Sequence, residues 1–368
     1  MTLTPALRGT LVKCLFALIT FVPTALSAQP AGADGDDFLY RVVKGDTLLE
    51  LSLRYTSSPQ NWPALQQINH VADTLALPIG KVLRIPFSMI PEEPAPARLL
   101  HTSGQVLING NRAYTGQELP EGGSLATAAG AFATVQLTDG STLTLPGSST
   151  IAIERLQAFK GTGLTDTILS VEKGSVESWV APQNTGVGRF EIRTPVAITG
   201  VRGTRLRVHR DSSSAQTEVL SGLAHLGAAS FGKALLRPGQ GVLTGADGVM
   251  GTVRNLPAAP ELGEPERGPR GWQISVQPVP GASGYLVRVA DDPDGTRPRS
   301  SQHFASVEDI HFSAYGPGTQ YVLVRAIGPD NLMGPDAARS FEGQPVLLSS
   351  NGRPVVAGHG GQVYLNAY

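Results

Sequence analysis

The chain has 368 residues, room for two or three domains, and its 43 glycines and 28 prolines point to many turns and mainly β structure. A formal net charge of −1 leaves no basic excess with which to hold nucleic acid. A single cysteine, Cys14, rules out an internal disulfide, so stability must come from packing.

Arg8 and Lys13 precede an apolar run from Leu15 to Val22, then Pro23 and the small-residue stretch Ala25-Leu26-Ser27-Ala28. This is the pattern of an export signal, residues 1–28, cut after Ser27 or Ala28. Cleavage would remove Cys14 and take the net charge from −1 to −3. Lys13 stands where a lipoprotein signal needs a small residue, so no lipid anchor is expected. No later stretch is long and apolar enough to span a bilayer.

The stretch Tyr40 to Pro86 reads as strand, helix, helix, strand. Tyr40, Val42 and Val43 suit a short strand, which Gly45-Asp46 breaks with turn and cap residue types. Asp46 is expected as N-cap of a helix whose apolar face is Leu48, Leu49, Leu51 and Leu53. A second helix is expected from Trp62 or Pro63, with Leu65 and Ile68 facing inward and Asn69 at its end. Pro78-Ile79-Gly80 then leads into Val82-Leu83-Arg84-Ile85, a strand stopped by Pro86.

The ordered set Tyr40, Val42, Gly45-Asp46-Thr47-Leu48, Asn69, Gly80, Leu83, Ile85 and Pro86 resembles the LysM family. The resemblance implies binding of N-acetylglucosamine-containing glycans, chiefly peptidoglycan or chitin, in a shallow groove between two loops. Carried onto this sequence, Gly45, Asp46, Thr47 and Leu48 form one side of the groove and Leu77, Pro78 and Ile79 the other. Exposed backbone groups in two loops can pair with acetamido groups, while Leu and Pro cover the apolar sugar face. For Asp46, capping competes with direct sugar contact.

Pro91-Glu92-Glu93-Pro94-Ala95-Pro96-Ala97 is expected to be an extended, semi-rigid linker. Beyond it, alternating segments such as Thr134 to Leu137, Thr142 to Leu145 and Ile151 to Ile153 predict half-buried strands, with Asp139-Gly140 turning a hairpin. Further strands are expected at Thr167 to Val171, Ser175 to Val180, Phe190 to Arg193, Thr204 to His209 and Thr217 to Leu220. Ala133 to Leu145, Leu169 to Val176, Phe190 to Val208, Thr217 to Gly222 and Leu236 to Gly241 together resemble the FecR-type periplasmic domain. That resemblance implies a β-rich fold and contact with an envelope protein partner. Arg205 and Arg207 share one strand face, expected to be solvated or else an anionic docking patch, and Gly203 suits a bulge.

After a Pro- and Glu-rich linker, Trp272, Tyr285 and Gly318-Thr319-Gln320-Tyr321 followed by Val322 to Ala326 resemble a fibronectin type III domain. Trp272 and Tyr321 are expected in its core, the Tyr321 hydroxyl bonded to backbone. The expected fold class is therefore multidomain and mainly β: a small βααβ LysM module, a FecR-like domain and a fibronectin-like sandwich. The units are residues 38–88, a linker 89–98, 99–255, a linker 256–270, 271–343 and a tail 344–368.

No catalytic constellation stands out. The seven histidines show no two-His zinc spacing, and neither a metal nor a cofactor is expected. Ser170-Val171-Glu172-Lys173 has a Ser-x-x-Lys spacing, but that chemistry needs a helix and this segment reads as a strand. The expectation is a non-enzymatic, exported, wall-associated protein of a Gram-negative periplasm. An envelope-signalling component and a wall hydrolase with an unrecognised carboxylate site are the alternatives.

Overall fold

The computed structural model describes residues 30–182, 187–230, 232–268, 270–314 and 316–343, with residues 347, 349, 355 and 363 of the tail. The expected export signal lies outside the described residues, and the tail lies largely outside them.

In the first unit, Pro30–Asp34, Asp37–Arg41 and Val82–Pro86 form a three-stranded sheet. Helices α1, Leu48–Thr56, and α2, Trp62–Ile68, connect the second strand to the third. The expected β-α-α-β order holds, with two differences. The central strand ends at Arg41, before Val42 and Val43, and an extra strand, Pro30–Asp34, precedes it and pairs with it as a hairpin. Alternation explains the register: Phe38 and Tyr40 point into the core and pair across from Ile85 and Leu83. Phe38, Tyr40 and Tyr55 pack ring to ring, with Tyr55 5.1 Å from Phe38 and 5.4 Å from Tyr40. Leu48 and Leu51 are buried on α1, whereas Leu49 and Leu53 are exposed, so the apolar face is narrower than expected. Ile68 also faces outward, against expectation, because α2 is short and only Leu65 reaches the core.

The segment expected as the first linker is docked instead. Glu92–Pro94 is a strand paired with Gln157 to Phe159, and Ile90, Ala95 and Ala97 are buried. Phe159 and Leu164 complete the hydrophobic core of the first unit, Phe159 stacking on Phe87 with ring centres 4.1 Å apart. The neighbouring Arg155 guanidinium and that of Arg189 converge on the fully buried Asp166, each 2.5 Å away.

From Glu92 to Asn255, sixteen strands pair into one sheet, and one hydrophobic core runs from Ala97 to Val242. The expected hairpin around Asp139-Gly140 is present, with Ala133 opposite Leu145 and Gln136 opposite Thr142. Several predicted short strands are parts of longer ones. Leu164–Trp179, Ala197–Arg210 and Ser214–Ala228 each continue through a glycine with positive φ: Gly174 at 75°, Gly203 at 59° and Gly222 at 79°. These glycines occupy irregularities within strands rather than turns between them. Leu164–Trp179 is shared: its first half runs parallel to Val187–Arg193, its second antiparallel to Ala197–Arg210. The Ser170 to Lys173 segment lies on this strand.

The third unit has seven strands in two sheets. Glu266–Gly268, Gly271–Gln273 and His311–Phe312 form one; Pro298–Phe304, Gly284–Ala290, Gly318–Ile327 and Ala337–Gly343 form the other in that order. Trp272 is buried as expected and packs on Phe341 at 4.7 Å. Tyr321 is only half-buried; the hydroxyl that bonds backbone belongs to Tyr285, which accepts the Val279 N–H at 2.8 Å. The second expected linker also packs, since the Leu256 N–H donates to Gly239 and the Gly263 N–H to Ser275. In the tail, Leu347, Val355 and Val363, eight residues apart, close a ring of backbone hydrogen bonds of 2.8 to 3.0 Å.

Candidate functional site

The two loops expected to flank a groove are tied together. The Leu48 N–H donates to the Thr74 carbonyl at 3.3 Å, and the Gly80 N–H to the Val42 carbonyl at 2.8 Å. Gly45 at φ 95° and Gly80 at φ 84° turn the two loops in the left-handed region that glycine enters without strain. Asn69 locks the far side: its Nδ2 donates to Leu65 and Arg84 carbonyls, and its Oδ1 accepts the Arg84 N–H at 2.6 Å. The helix-ending asparagine thus also fixes the closing strand.

Asp46 is not the N-cap. Thr47 caps α1, its hydroxyl accepting the Glu50 N–H at 3.2 Å from an extended backbone. Asp46 is buried, and its Oδ2 accepts both the Tyr40 hydroxyl and the Val43 N–H at 2.8 Å. Burial and the adjacent carboxylate push the Tyr40 phenol up to about 12. The Asp46 side chain therefore holds the turn closed instead of facing a ligand.

Leu48 and Leu77 are likewise core residues, at 0% and 8% exposure, so of the apolar groove candidates only Pro78 and Ile79 present side chains. Ile79 is 69% exposed. Leu75, absent from the sequence-based set, is the most exposed large apolar residue of the unit at 80%. Its only signal in the sequence is an apolar residue directly after the polar pair Asp73-Thr74. Among the described residues the N–H groups of Gly45, Leu77 and Ile79 have no partner within the chain. Two loops with unused donors beside exposed Leu75, Pro78 and Ile79 suit a ligand with acceptor groups and a weakly apolar face.

Residues 40–86 match the LysM domain. Residues 123–225 match the FecR protein family. LysM points to peptidoglycan binding and FecR to the cell envelope, and both are binding or signalling domains without catalysis. No curated protein matches the chain. Two crystal structures of a candidate anti-sigma factor from Parabacteroides distasonis are similar to part of it, at 15% and 17% identity with TM-scores of 0.30 and 0.29. Each match covers 36% of this chain and 59% of the other. Among the described residues no helix is long and apolar enough to cross a membrane.

A second concentration of polar groups, unforeseen from sequence, lies between the FecR-like unit and the third. Arg207, Arg288 and Arg325 meet Glu177, Glu218 and Asp336, three cations and three anions. Arg325 is fully buried and bridges Glu177 at 2.7 Å and Asp336 at 2.8 Å. Arg207, expected on a solvated face or a docking patch, is buried: its Nη2 donates to the Met333 and Gly334 carbonyls, and its Nε pairs with Glu218 at 2.8 Å. Burial works against the Glu177 carboxylate, but Arg288 and Arg325 outweigh it and bring its pKa down to about 2.

Proposed function

We propose that this is an exported, non-enzymatic protein that attaches to peptidoglycan through the groove between residues 43–48 and 74–80. Its FecR-like unit and C-terminal sandwich are then displayed for contact with an envelope protein. The observation that carries the reading is the LysM match over 40–86, together with two tied loops that leave Leu75, Pro78 and Ile79 exposed. The Gly45, Thr47, Leu77 and Ile79 backbones and the Pro78 and Ile79 side chains contact glycan; the Asp46, Leu48 and Leu77 side chains support the loops from inside. The export signal and a periplasmic location belong to the same proposal, as does a fibronectin type III-like identity for the third unit. For that identity the support is the three-plus-four arrangement of its strands.

Co-sedimentation with purified sacculi tests the groove. Ile79→Asp places a charge where an apolar sugar face would sit, on a side chain 69% exposed, so the fold should survive. The expected result is loss of sedimentation with an unchanged far-ultraviolet circular dichroism spectrum. Sedimentation equal to the unmodified chain would refute the groove.

The FecR match over 123–225 favours a second reading, in which this unit receives or relays an envelope signal and the LysM unit only localises it. Capture of one defined envelope protein by both the unmodified chain and the Ile79→Asp variant would favour signalling over anchoring.

A further inference from the structure

A cavity of about 990 Å³ opens between the FecR-like unit and the third unit, on the side of the buried charge cluster. It has the size of a small-ligand site. Its walls carry Phe132, Pro146, Leu286, Ile327 and Met333 beside charged and polar side chains. The charges are not evenly satisfied. Glu177 is bonded to Arg288 and Arg325, Glu218 to Arg207 and the Met333 N–H, and Asp211 to the Ser213 and Ser214 N–H groups. Only Glu172 among the lining carboxylates has no such partner among the described residues.

The cations are left with capacity. Arg207 Nη1 and Arg288 Nε are buried with no hydrogen-bond partner, and both residues line the cavity. Lys173 and Arg210, also lining it, form no ion pair among the described residues. Strand pairing sets their backbones side by side, because Gly174, next to Lys173, stands opposite Arg210. The two guanidinium atoms of Arg207 and Arg288 are closed to solvent, so the cationic capacity that a ligand in the cavity can reach is that of Lys173 and Arg210.

We propose that this cavity binds a small amphiphilic organic anion, with its acidic group at Lys173 and Arg210 and its apolar body against Phe132, Leu286 and Ile327. Both units contribute, so the ligand is held only when they are docked as seen here. The site is separate from the glycan groove.

The full chain should bind 8-anilinonaphthalene-1-sulfonate, an apolar anion that fluoresces on desolvation, at one saturable site. Octanoate should displace the dye and succinate should not. Lys173→Glu combined with Arg210→Glu, at exposed and half-buried positions, should weaken binding about tenfold without changing circular dichroism. Sedimentation with sacculi should be unchanged in this variant, so failure here is separable from failure of the groove. The proposal is overturned if the unmodified chain has no saturable site, if the folded double variant binds equally well, or if succinate competes as well as octanoate.

Discussion

Replacing Glu177 with Gln keeps the shape of the side chain and removes one anion from a buried set of three arginines and three carboxylates. Arg288 and Arg325 would then share Asp336 alone, with Arg207 close enough to repel Arg325. The magnitude follows from the carboxylate itself. Its pKa falls from the ordinary 4.5 to about 2 on folding, because the arginine attraction exceeds the burial penalty. A depression of that size corresponds to about 3 kcal/mol of stability at neutral pH, comparable with the cost of breaking a buried ion pair. A group with a depressed folded pKa stabilises fully above its unfolded pKa and loses that contribution as pH falls through the folded one. The deficit of the variant should thus be full at pH 7 and shrink between pH about 4.5 and about 2.

Urea unfolding followed by tryptophan fluorescence at a series of pH values measures this directly. Adding Arg325→Met should recover part of the deficit, since it removes the surplus cation and leaves Arg288 paired with Asp336 at 2.7 Å. Equal stability of Glu177→Gln and the unmodified chain at pH 7, or a deficit of the same size at pH 3, would refute the electrostatic account.

Two further outcomes test the packing. Gly222→Ala should destabilise by about 2 kcal/mol or more, because φ is +79° and the new Cβ would lie 2.4 Å from the Gly203 carbonyl oxygen; thermal unfolding reads it, and an unchanged midpoint counts against that contact. Phe159→Ala should remove about 3 kcal/mol or more from a 4% exposed aromatic that stacks on Phe87. Hydrogen exchange should then rise in residues 37–41 and 82–86, and unchanged protection there would show that the first unit does not depend on this ring.

The first unit was legible because its signals are local. Gly45, Asn69, Gly80 and the Leu83-Arg84-Ile85-Pro86 ending each fix backbone geometry by residue type, and the structure places them at turn, helix end, turn and strand. What went astray concerned side-chain direction. Thr47 caps and Asp46 turns inward because the buried Tyr40 hydroxyl needs an acceptor, a requirement set across six residues by the fold. Strand lengths in the FecR-like unit were underestimated because a glycine inside a strand and a glycine between strands look alike in sequence. The interface was missed, although it carries a readable sign. Arg288 in Tyr285-Leu286-Val287-Arg288-Val289 and Arg325 in Val322-Leu323-Val324-Arg325-Ala326 interrupt runs whose apolar residues are all buried. A charge with no polar neighbours along a buried strand must find its partner elsewhere, here Glu177 on another unit.

The two unit boundaries are held by different physics, which gives them an order of failure. Phe87, Phe159 and Leu164 join the LysM unit to the FecR-like unit through apolar contact, which is indifferent to protonation. Glu177 joins the third unit through its ion pairs with Arg288 and Arg325, and these arginines hold its carboxyl, and that of Asp336 within the third unit, well below the usual range in spite of burial. Both carboxylates bind protons more readily in the unfolded chain, so acidification weakens this second boundary while leaving the first intact. On lowering pH the third unit should therefore undock first, and the cavity it helps to form should open with it. The glycan groove, whose walls belong to the first unit alone, should still be in place at that point.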